Sequence, residues 1–96
     1  MIEIRQTQAY ARWFARLADR RARALVLVRI RRLGLGNPGD LKPVGGGVSE
    51  LRIHSGPGYR VYLARRGAGL VVLLAGGTKG TQERDVRTAL RLARNL

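Results

Sequence analysis

The sequence contains no cysteine and only one histidine. Disulfide bonds and thiolate metal sites are therefore excluded, and a reducing compartment is the natural environment for such a chain. The six Asp and Glu side chains form no cluster along the sequence, so the oxygen and imidazole ligands that metal ions need are also scarce. We expect neither a metal ion nor a cofactor.

Long hydrophobic runs are also missing. The two longest, ALVLV at 24–28 and LVVLLA at 70–75, fall far short of the roughly 20 apolar residues that cross a bilayer. The N-terminal segment MIEIRQTQAYARWF has no basic region followed by a long apolar stretch, so it does not resemble a signal peptide. The sequence predicts a cytoplasmic protein that does not enter a membrane.

Acidic residues are few compared with basic ones. Six Asp and Glu stand against 19 Lys and Arg, which gives a formal net charge of +13 and a pI of about 11.9. A surface of this charge attracts polyanions such as nucleic acid, the ribosome, an anionic membrane or an acidic protein. Only two of the cations are lysine, and a GC-rich genome explains the arginine bias as well as a need for planar phosphate-binding groups does.

The hydrophobic pattern predicts a single α+β domain over residues 1–96. Alternation predicts a first strand at 1–6, and helical periodicity predicts two consecutive helices at about 7–18 and 19–33, with Thr7 and Asp19 as N-caps. Later segments predict three strands at about 48–54, 59–65 and 70–75, followed by a helix at 81–96. The predicted order is β-α-α-β-β-β-α.

The glycine-rich segment GLGNPGDLKPVGGG at 34–47 is predicted to be a loop. It matches G-x-G-x-x-G at Gly34, Gly36 and Gly39, but the dinucleotide-binding motif requires a strand before it and a helix after it. Here a helix precedes the glycines, and two prolines prevent a following helix. No dinucleotide site is expected.

The segment SELRIHSGPGYRVYLARR predicts a β-hairpin with a polar face. Because apolar and polar residues alternate along both strands, the polar ones share the face turned away from the core. These polar residues are Glu50, Arg52, His54, Arg60 and Tyr62. A tight turn at 55–57 places Arg52 opposite Arg60 and Glu50 opposite Tyr62, whereas a longer turn shifts the pairing by two residues. Because this polar face is predicted to be open to solvent, the substitution Arg60→Ala is expected to leave folding intact.

Two arginines directly opposed on a sheet are unfavourable by roughly 0.2–1 kcal/mol unless an anion binds them. Lys79 follows the last predicted strand and can join Arg52 and Arg60 if that strand neighbours the hairpin. Such a site can promote attack of an RNA 2′-OH on its own phosphate, because the cations stabilise the charge that develops there. The candidates for proton transfer are His54, Tyr62 and Glu50. The alternative is a basic sheet face that only meets solvent.

Two segments, GDLKPVGGGVSELRIHSGPGYRVYLARRG and GGTKGTQERDV, resemble the RelE/ParE toxin superfamily, and most closely its HigB-like branch of addiction module killer proteins. The resemblance implies a RelE-like fold, with an antiparallel sheet packed against an α-helical hairpin and a C-terminal helix. It also implies the toxin of a type II toxin–antitoxin system, a ribosome-dependent, metal-independent mRNA endoribonuclease that inhibits translation. The implied partners are the ribosome, mRNA and an acidic helix-turn-helix antitoxin of the HigA type.

Site residues follow from the same resemblance, position by position. The residues predicted to contact nucleic acid are Arg52, Arg60, Arg65 and Lys79. Glu50 occupies a strand position that often holds a base in RelE-like proteins. Thr78 stands where related sequences commonly have an acid, and the RelE tyrosine of the C-terminal segment has no clear counterpart here. The assignment of the general acid and base therefore stays open.

Two other functions remain compatible with the sequence. A ParE-like member of the superfamily would share the fold but inhibit DNA gyrase by binding, without nuclease activity. A basic binding module without toxicity is the third alternative. Growth arrest on expression separates the toxins from the binding module, and cut mRNA rather than broken DNA separates the nuclease from the gyrase inhibitor. The cations Arg52, Arg60 and Lys79 favour the nuclease.

Overall fold

The computed structural model describes residues 1–96 and contains five strands and three α-helices. In chain order the elements are β1 (Glu3–Gln6), α1 (Gln8–Arg16), α2 (Arg20–Gly34), β2 (Leu41–Gly45), β3 (Val48–Ile53), β4 (Tyr59–Arg66), β5 (Leu70–Thr78) and α3 (Gln82–Arg94). A short 3₁₀ turn over Lys79–Thr81 joins β5 to α3. The predicted α+β class is confirmed, as are the helical hairpin and the C-terminal helix.

The two N-terminal helices begin at the predicted caps. The Thr7 Oγ1 accepts a hydrogen bond from the Tyr10 backbone N–H at 3.1 Å, and an Asp19 carboxylate oxygen accepts one from the Ala22 N–H at 3.1 Å. Each bond satisfies a backbone donor that has no partner inside its helix. None of the three helices is both long and apolar enough to cross a membrane.

All five strands form one sheet in the order β1-β5-β4-β3-β2. The pairs β2–β3, β3–β4 and β4–β5 are antiparallel, but β1 lies parallel to β5. The prediction of a wholly antiparallel sheet therefore needs correction at this edge. The parallel pair is possible because β1 and β5 are far apart in the chain, and the helical hairpin with β2, β3 and β4 supplies the long connection that parallel neighbours require.

The segment 34–47, predicted to be a loop, contains the strand β2. This strand pairs with β3, with Leu41 opposite Leu51 and Lys42 opposite Glu50. The glycine-rich composition predicted a loop, yet this segment forms the edge strand of the sheet, where Pro43, which has no N–H, is tolerated. The observed order is therefore β-α-α-β-β-β-β-α, one strand more than predicted.

The sheet separates two hydrophobic cores. On one face, the helical hairpin packs through residues such as Tyr10 and Val26 against Leu51 and Val61 of the sheet. On the other face, α3 packs through Ala89 and Ala93, with Val86 and Leu90, against a second apolar cluster. The strand β5 contributes to both clusters, so it is covered on both sides, as its apolar residues on both faces require.

A glycine allows α1 to lie close to the sheet. The Trp13 indole rests against Gly76 of β5, where a Cβ atom would overlap the ring. Tyr10 is buried, and Trp13 and Phe14 are partly buried against the same core. These three aromatic side chains, spaced at 10, 13 and 14 on one face of α1, are thus part of the core and do not form a platform for stacked bases.

Candidate functional site

The hairpin β3–β4 has the tighter of the two predicted registers. Arg52 pairs with Arg60, Glu50 pairs with Tyr62, and Ile53 pairs with Tyr59. The alternation of side chains places Leu51 and Ile53 in the core beneath the helical hairpin. The side chains of Arg52 and Arg60 therefore lie on the opposite face of the sheet, the face that α3 covers in part.

Lys79 reaches the same region from β5. The pairing of Tyr59 with Thr78 brings the end of β5 beside the β3–β4 turn, and the Lys79 backbone N–H donates to the Gly58 carbonyl at 2.8 Å. Gly58 has a φ of +78°, which favours glycine, and a Cβ there would lie 3.3 Å from the Lys79 Cβ. The turn and the lysine are thus packed together, as the prediction required.

These residues surround an open cleft of about 590 Å³ at the end of the hairpin. Its lining residues are Arg52, His54, Ser55, Gly56, Pro57, Gly58, Arg60, Lys79 and Gln82. The charged groups in this wall are three cations and no carboxylate. A cleft lined by charges of one sign concentrates the field and attracts an anion.

A buried carboxylate lies beneath the cleft. The Glu50 side chain is only 1% exposed, with one oxygen 3.6 Å from the Arg60 Nε and the other 3.6 Å from the Arg52 Nε. Gln82 donates a hydrogen bond to Glu50 Oε1 at 2.7 Å. The carboxylate is thus fixed by neighbours on β3, β4 and α3, and its charge lowers the repulsion between the two opposed arginines.

The two arginines keep free hydrogen-bond donors. The Nε atoms of Arg52 and Arg60 are buried without a hydrogen-bond partner, as is the Oε2 atom of Glu50. The Arg60 side chain is 6% exposed, so the expectation of an open, freely replaceable position is wrong for this residue. Unpaired buried polar atoms are costly. Both Nε atoms face the Glu50 carboxylate at 3.6 Å beneath the cleft, so they are not themselves available to an anion inside it.

Tyr62 lies below the cleft and does not line it. Its side chain is fully buried, and its hydroxyl donates to Glu50 Oε1 at 3.2 Å. Burial raises the pKa of the Tyr62 phenol well above its ordinary value, and the nearby Glu50 charge raises the same pKa further. The phenol is therefore protonated at neutral pH and acts as a hydrogen-bond donor that holds Glu50.

His54 and Asp40 form a pair at the rim. The distance from His54 Nε2 to Asp40 Oδ2 is 2.5 Å, and Arg52 Nη1 lies 3.8 Å from the other carboxylate oxygen. The hydrogen bond with His54 and, to a smaller extent, the charge of Arg52 hold the pKa of Asp40 below its usual value. His54 lines the cleft, whereas Asp40, which holds the imidazole ring in place, lies outside the cleft wall.

The structure brings most, but not all, of the predicted site residues together. Arg52, His54, Arg60 and Lys79 line one cleft, while Glu50 and Tyr62 lie beneath it. Arg65 is exposed near the far end of β4, where it pairs with Val71, and it does not line the cleft.

Sequence reasoning missed two residues, Gln82 and Asp40. Gln82 is the first residue of α3, and Asp40 directly precedes β2, the strand that was not predicted. No three His, Asp or Glu side chains converge anywhere in the chain in a way that could hold a metal ion.

The fold and the cleft together define a small α+β protein with a helical hairpin on one face of its sheet and a cationic cleft at the end of a β-hairpin. Residues 12–96 match the family model described as phage-derived protein Gp49-like (DUF891). The chain therefore belongs to this family, which is a RelE-like toxin family. Membership indicates a toxin of the toxin–antitoxin kind and implies an antitoxin partner in general.

One relative matches almost the whole chain. It is a Haemophilus influenzae protein described as uncharacterized, 46% identical over 95 residues, which are 99% of this chain and 96% of the relative. No solved structure matches the chain. The resemblance to RelE-like toxins is thus confirmed at the level of the family.

Proposed function

We propose that this protein is a HigB-like toxin of a type II toxin–antitoxin system that cuts mRNA on the ribosome and so inhibits translation. The observation that carries the proposal is the convergence of Arg52, Arg60 and Lys79 on one cleft, with no carboxylate in its wall. A ribosome and its mRNA supply the phosphodiester that such a cleft would bind. An acidic helix-turn-helix antitoxin of the HigA type would neutralise the toxin.

The proposed reaction uses the RNA as its own nucleophile. The 2′-oxygen forms a bond to phosphorus while the bond to the 5′-oxygen breaks, which leaves a 2′,3′-cyclic phosphate and a 5′-hydroxyl. Arg52, Arg60 and Lys79 stabilise the negative charge that develops on the phosphoryl oxygens. The 2′-OH proton leaves to a base, and the 5′-oxygen takes a proton from an acid. Neither step requires a metal ion.

Among the three candidates for proton transfer, His54 is the one that lines the cleft. Its bond to Asp40 fixes the orientation of the ring, as a carboxylate does for many catalytic histidines. Glu50 and Tyr62 are buried beneath the arginines. We therefore assign one of the two proton transfers to His54, with water as the partner in the other, and assign Glu50 and Tyr62 to the positioning of the cationic groups.

The test is cleavage of a defined mRNA by the purified chain on purified ribosomes, with the cut sites mapped by primer extension. Lys79→Ala is expected to lower the cleavage rate by roughly 10². Its stability should change by less than about 0.5 kcal/mol, because Lys79 is exposed and its side chain has no ion pair. Lys42→Ala is the matched control, since Lys42 is the other lysine, is exposed, and lies outside the cleft.

Metal dependence is tested in the same assay. Ribosomes are washed with EDTA and restored to a fixed Mg²⁺ concentration, and cleavage should then need no other metal. A requirement for Mn²⁺ or Zn²⁺ that is traced to the chain would contradict the mechanism. If the wild-type chain arrests growth with its mRNA intact and instead inhibits gyrase supercoiling, the ParE-like function is correct and the nuclease is not.

A further inference from the structure

The solvent-facing side of α2 has an apolar centre, although exposed helix faces are usually polar. Ala24, Leu27 and Val28 are all exposed, and Leu27 and Val28 keep 55% and 45% of their surface in contact with solvent. At 3.6 residues per turn these positions lie opposite Ala22 and Val26, which are buried in the core. The centre of the outer face is therefore available to a partner.

Arginines flank this apolar centre at both ends of the helix. Arg20 and Arg21 occupy the first turn, and Arg31 and Arg32 occupy the last. All four are exposed, and none takes part in an ion pair within the chain. Cations in the first turn oppose the helix dipole, so the stability of the helix does not explain Arg20 and Arg21.

The two remaining arginines of α2 have a structural role. An Arg23 Nη1 group donates to the Phe14 carbonyl at 2.7 Å, and an Arg29 Nη1 group donates to the Arg52 carbonyl at 2.7 Å. These bonds tie the helix to α1 and to β3. Two of the six arginines of α2 therefore stabilise the fold, and the other four form no ion pair within the chain.

An apolar groove continues from the C-terminal end of the same face. It has a volume of about 330 Å³, and its lining residues include Met1, Ile2, Ile4, Ile30, Leu35 and Arg31. Leu27, Arg31 and Leu35 are spaced by four residues along the helix, so they lie on one side of it. The apolar centre of α2 and the groove thus form one continuous region, which we name the α2 surface.

We infer that the α2 surface binds an acidic protein segment. Apolar side chains of that segment would cover Leu27 and enter the groove, and its carboxylates would meet the four free arginines. Under the function proposed above, on which the identity of this partner rests, the acidic protein is the antitoxin. It would then bind the face of the sheet opposite to the one that carries the cleft.

A protein fits this surface better than RNA does. Phosphate groups would satisfy the arginines, but an RNA backbone gains little from a groove walled by isoleucine side chains, whereas a protein partner satisfies both features. The C-terminal helix is a weaker candidate. Leu92 of α3 packs against the core on its own side of the sheet. Leu96 lines a separate groove with Leu70 and Val72, but both arginines of that groove are engaged within the chain, because Arg5 pairs with Glu3 and Arg66 donates to the Ala93 carbonyl.

The test measures binding of the protein encoded by the gene next to this chain's gene, which the inference requires to be acidic. Leu27→Glu is expected to raise the Kd about tenfold or more, mainly through faster dissociation, because it places a charge in the apolar centre. Leu35→Glu should act similarly through the groove. Leu96→Glu is a matched control: the same substitution at a leucine that is 56% exposed, compared with 55% for Leu27. Its Kd should stay within about twofold of wild type.

Electrostatic steering gives a second readout. The association rate with the wild-type chain should fall steeply between about 50 and 500 mM salt, because the free arginines attract the acidic partner over distances that salt screens. Far-UV circular dichroism and thermal unfolding confirm that each variant is folded. Cleavage of mRNA is measured in parallel for each variant.

The outcomes are distinct. Weaker binding by folded Leu27→Glu and Leu35→Glu, with Leu96→Glu unchanged, supports the α2 surface even if the wild-type chain cuts no mRNA, in which case only the proposed function fails. The inference is overturned if the wild-type chain does not bind the acidic protein, if Leu27→Glu binds it normally, or if Leu96→Glu alone weakens binding. It is also overturned if Leu27→Glu weakens binding to ribosomes and leaves the acidic protein bound.

Discussion

Replacement of Arg60 by alanine should affect both activity and stability, and the two effects can be separated. Arg60 lines the cleft, so under the proposed nuclease function its loss removes a donor to the developing phosphoryl charge and should lower the cleavage rate by roughly 10² to 10³. The same side chain is almost buried, and its Nε lies 3.6 Å from the buried Glu50 carboxylate. Removing it therefore leaves Glu50 with less positive charge nearby.

The stability cost can be bounded from the contacts that remain. Breaking a buried ion pair by deleting one partner costs about 3–5 kcal/mol. We expect the lower end, about 3 kcal/mol, because Glu50 keeps its hydrogen bonds from Tyr62 and Gln82 and its contact with Arg52. A domain with the usual stability of about 5–15 kcal/mol survives this loss and remains mostly folded at 25 °C.

A second substitution tests this reasoning. In the double variant Arg60→Ala/Glu50→Gln the uncompensated charge is gone, so about 1–2 kcal/mol of the stability should return while cleavage stays low. Glu50→Gln alone should be destabilising, because it leaves two arginines opposed across the strands without a counter-charge. The assays are urea unfolding of the four proteins and cleavage rates corrected for the folded fraction.

Two results would refute the reasoning. If folded Arg60→Ala cuts mRNA within about threefold of wild type, Arg60 does not stabilise the transition state. The loss of stability in the double variant can be compared with the sum of the losses in Arg60→Ala and Glu50→Gln. If the two agree within about 0.5 kcal/mol, Glu50 and Arg60 are not energetically coupled, and the buried carboxylate does not position the cleft.

Two further predictions concern titration. In His54→Ala, the pKa of Asp40 measured by NMR should rise towards the ordinary aspartate value of about 3.9, and an unchanged pKa would show that the pair does not exist in solution. Burial raises the pKa of Tyr10 to about 12, so the folded protein keeps a proton that the unfolded chain loses near pH 10. The contribution of Tyr10 to the free energy of unfolding should therefore be constant below pH 10. It should fall as the pH rises from 10 towards 12, by at most about 1.4 kcal/mol per pH unit. Urea unfolding of Tyr10→Phe should show a shallower decline than wild type, and an equal decline would contradict the buried, neutral phenol.

The sequence predicts the hairpin well because alternation leaves few registers open. Leu51 and Ile53 must enter the core, which fixes the face of Arg52 and leaves two registers, and the structure has the tighter one, with Arg52 opposite Arg60. Thr7 and Asp19 were predictable as caps for a similarly local reason, since a helix needs side-chain acceptors at its first turn.

Features that depend on distant parts of the chain were not predictable in this way. The strand β2 contains Pro43, and only its place at the sheet edge makes a strand there acceptable. Asp40 is near His54 because β2 pairs with β3, so missing the strand also meant missing the carboxylate. The burial of Glu50 depends on α3, whose docking over this face no local pattern reveals.

The strand order has a consequence for the synthesis of the protein. An interior strand of the sheet is made last, because β5 lies between β1 and β4 and is the final strand in the chain. Lys79 and Gln82, which complete the cleft wall, follow β5 and are translated later still. A nascent chain therefore has neither a continuous five-stranded sheet nor a complete cleft until translation has reached about the last fifth of its residues.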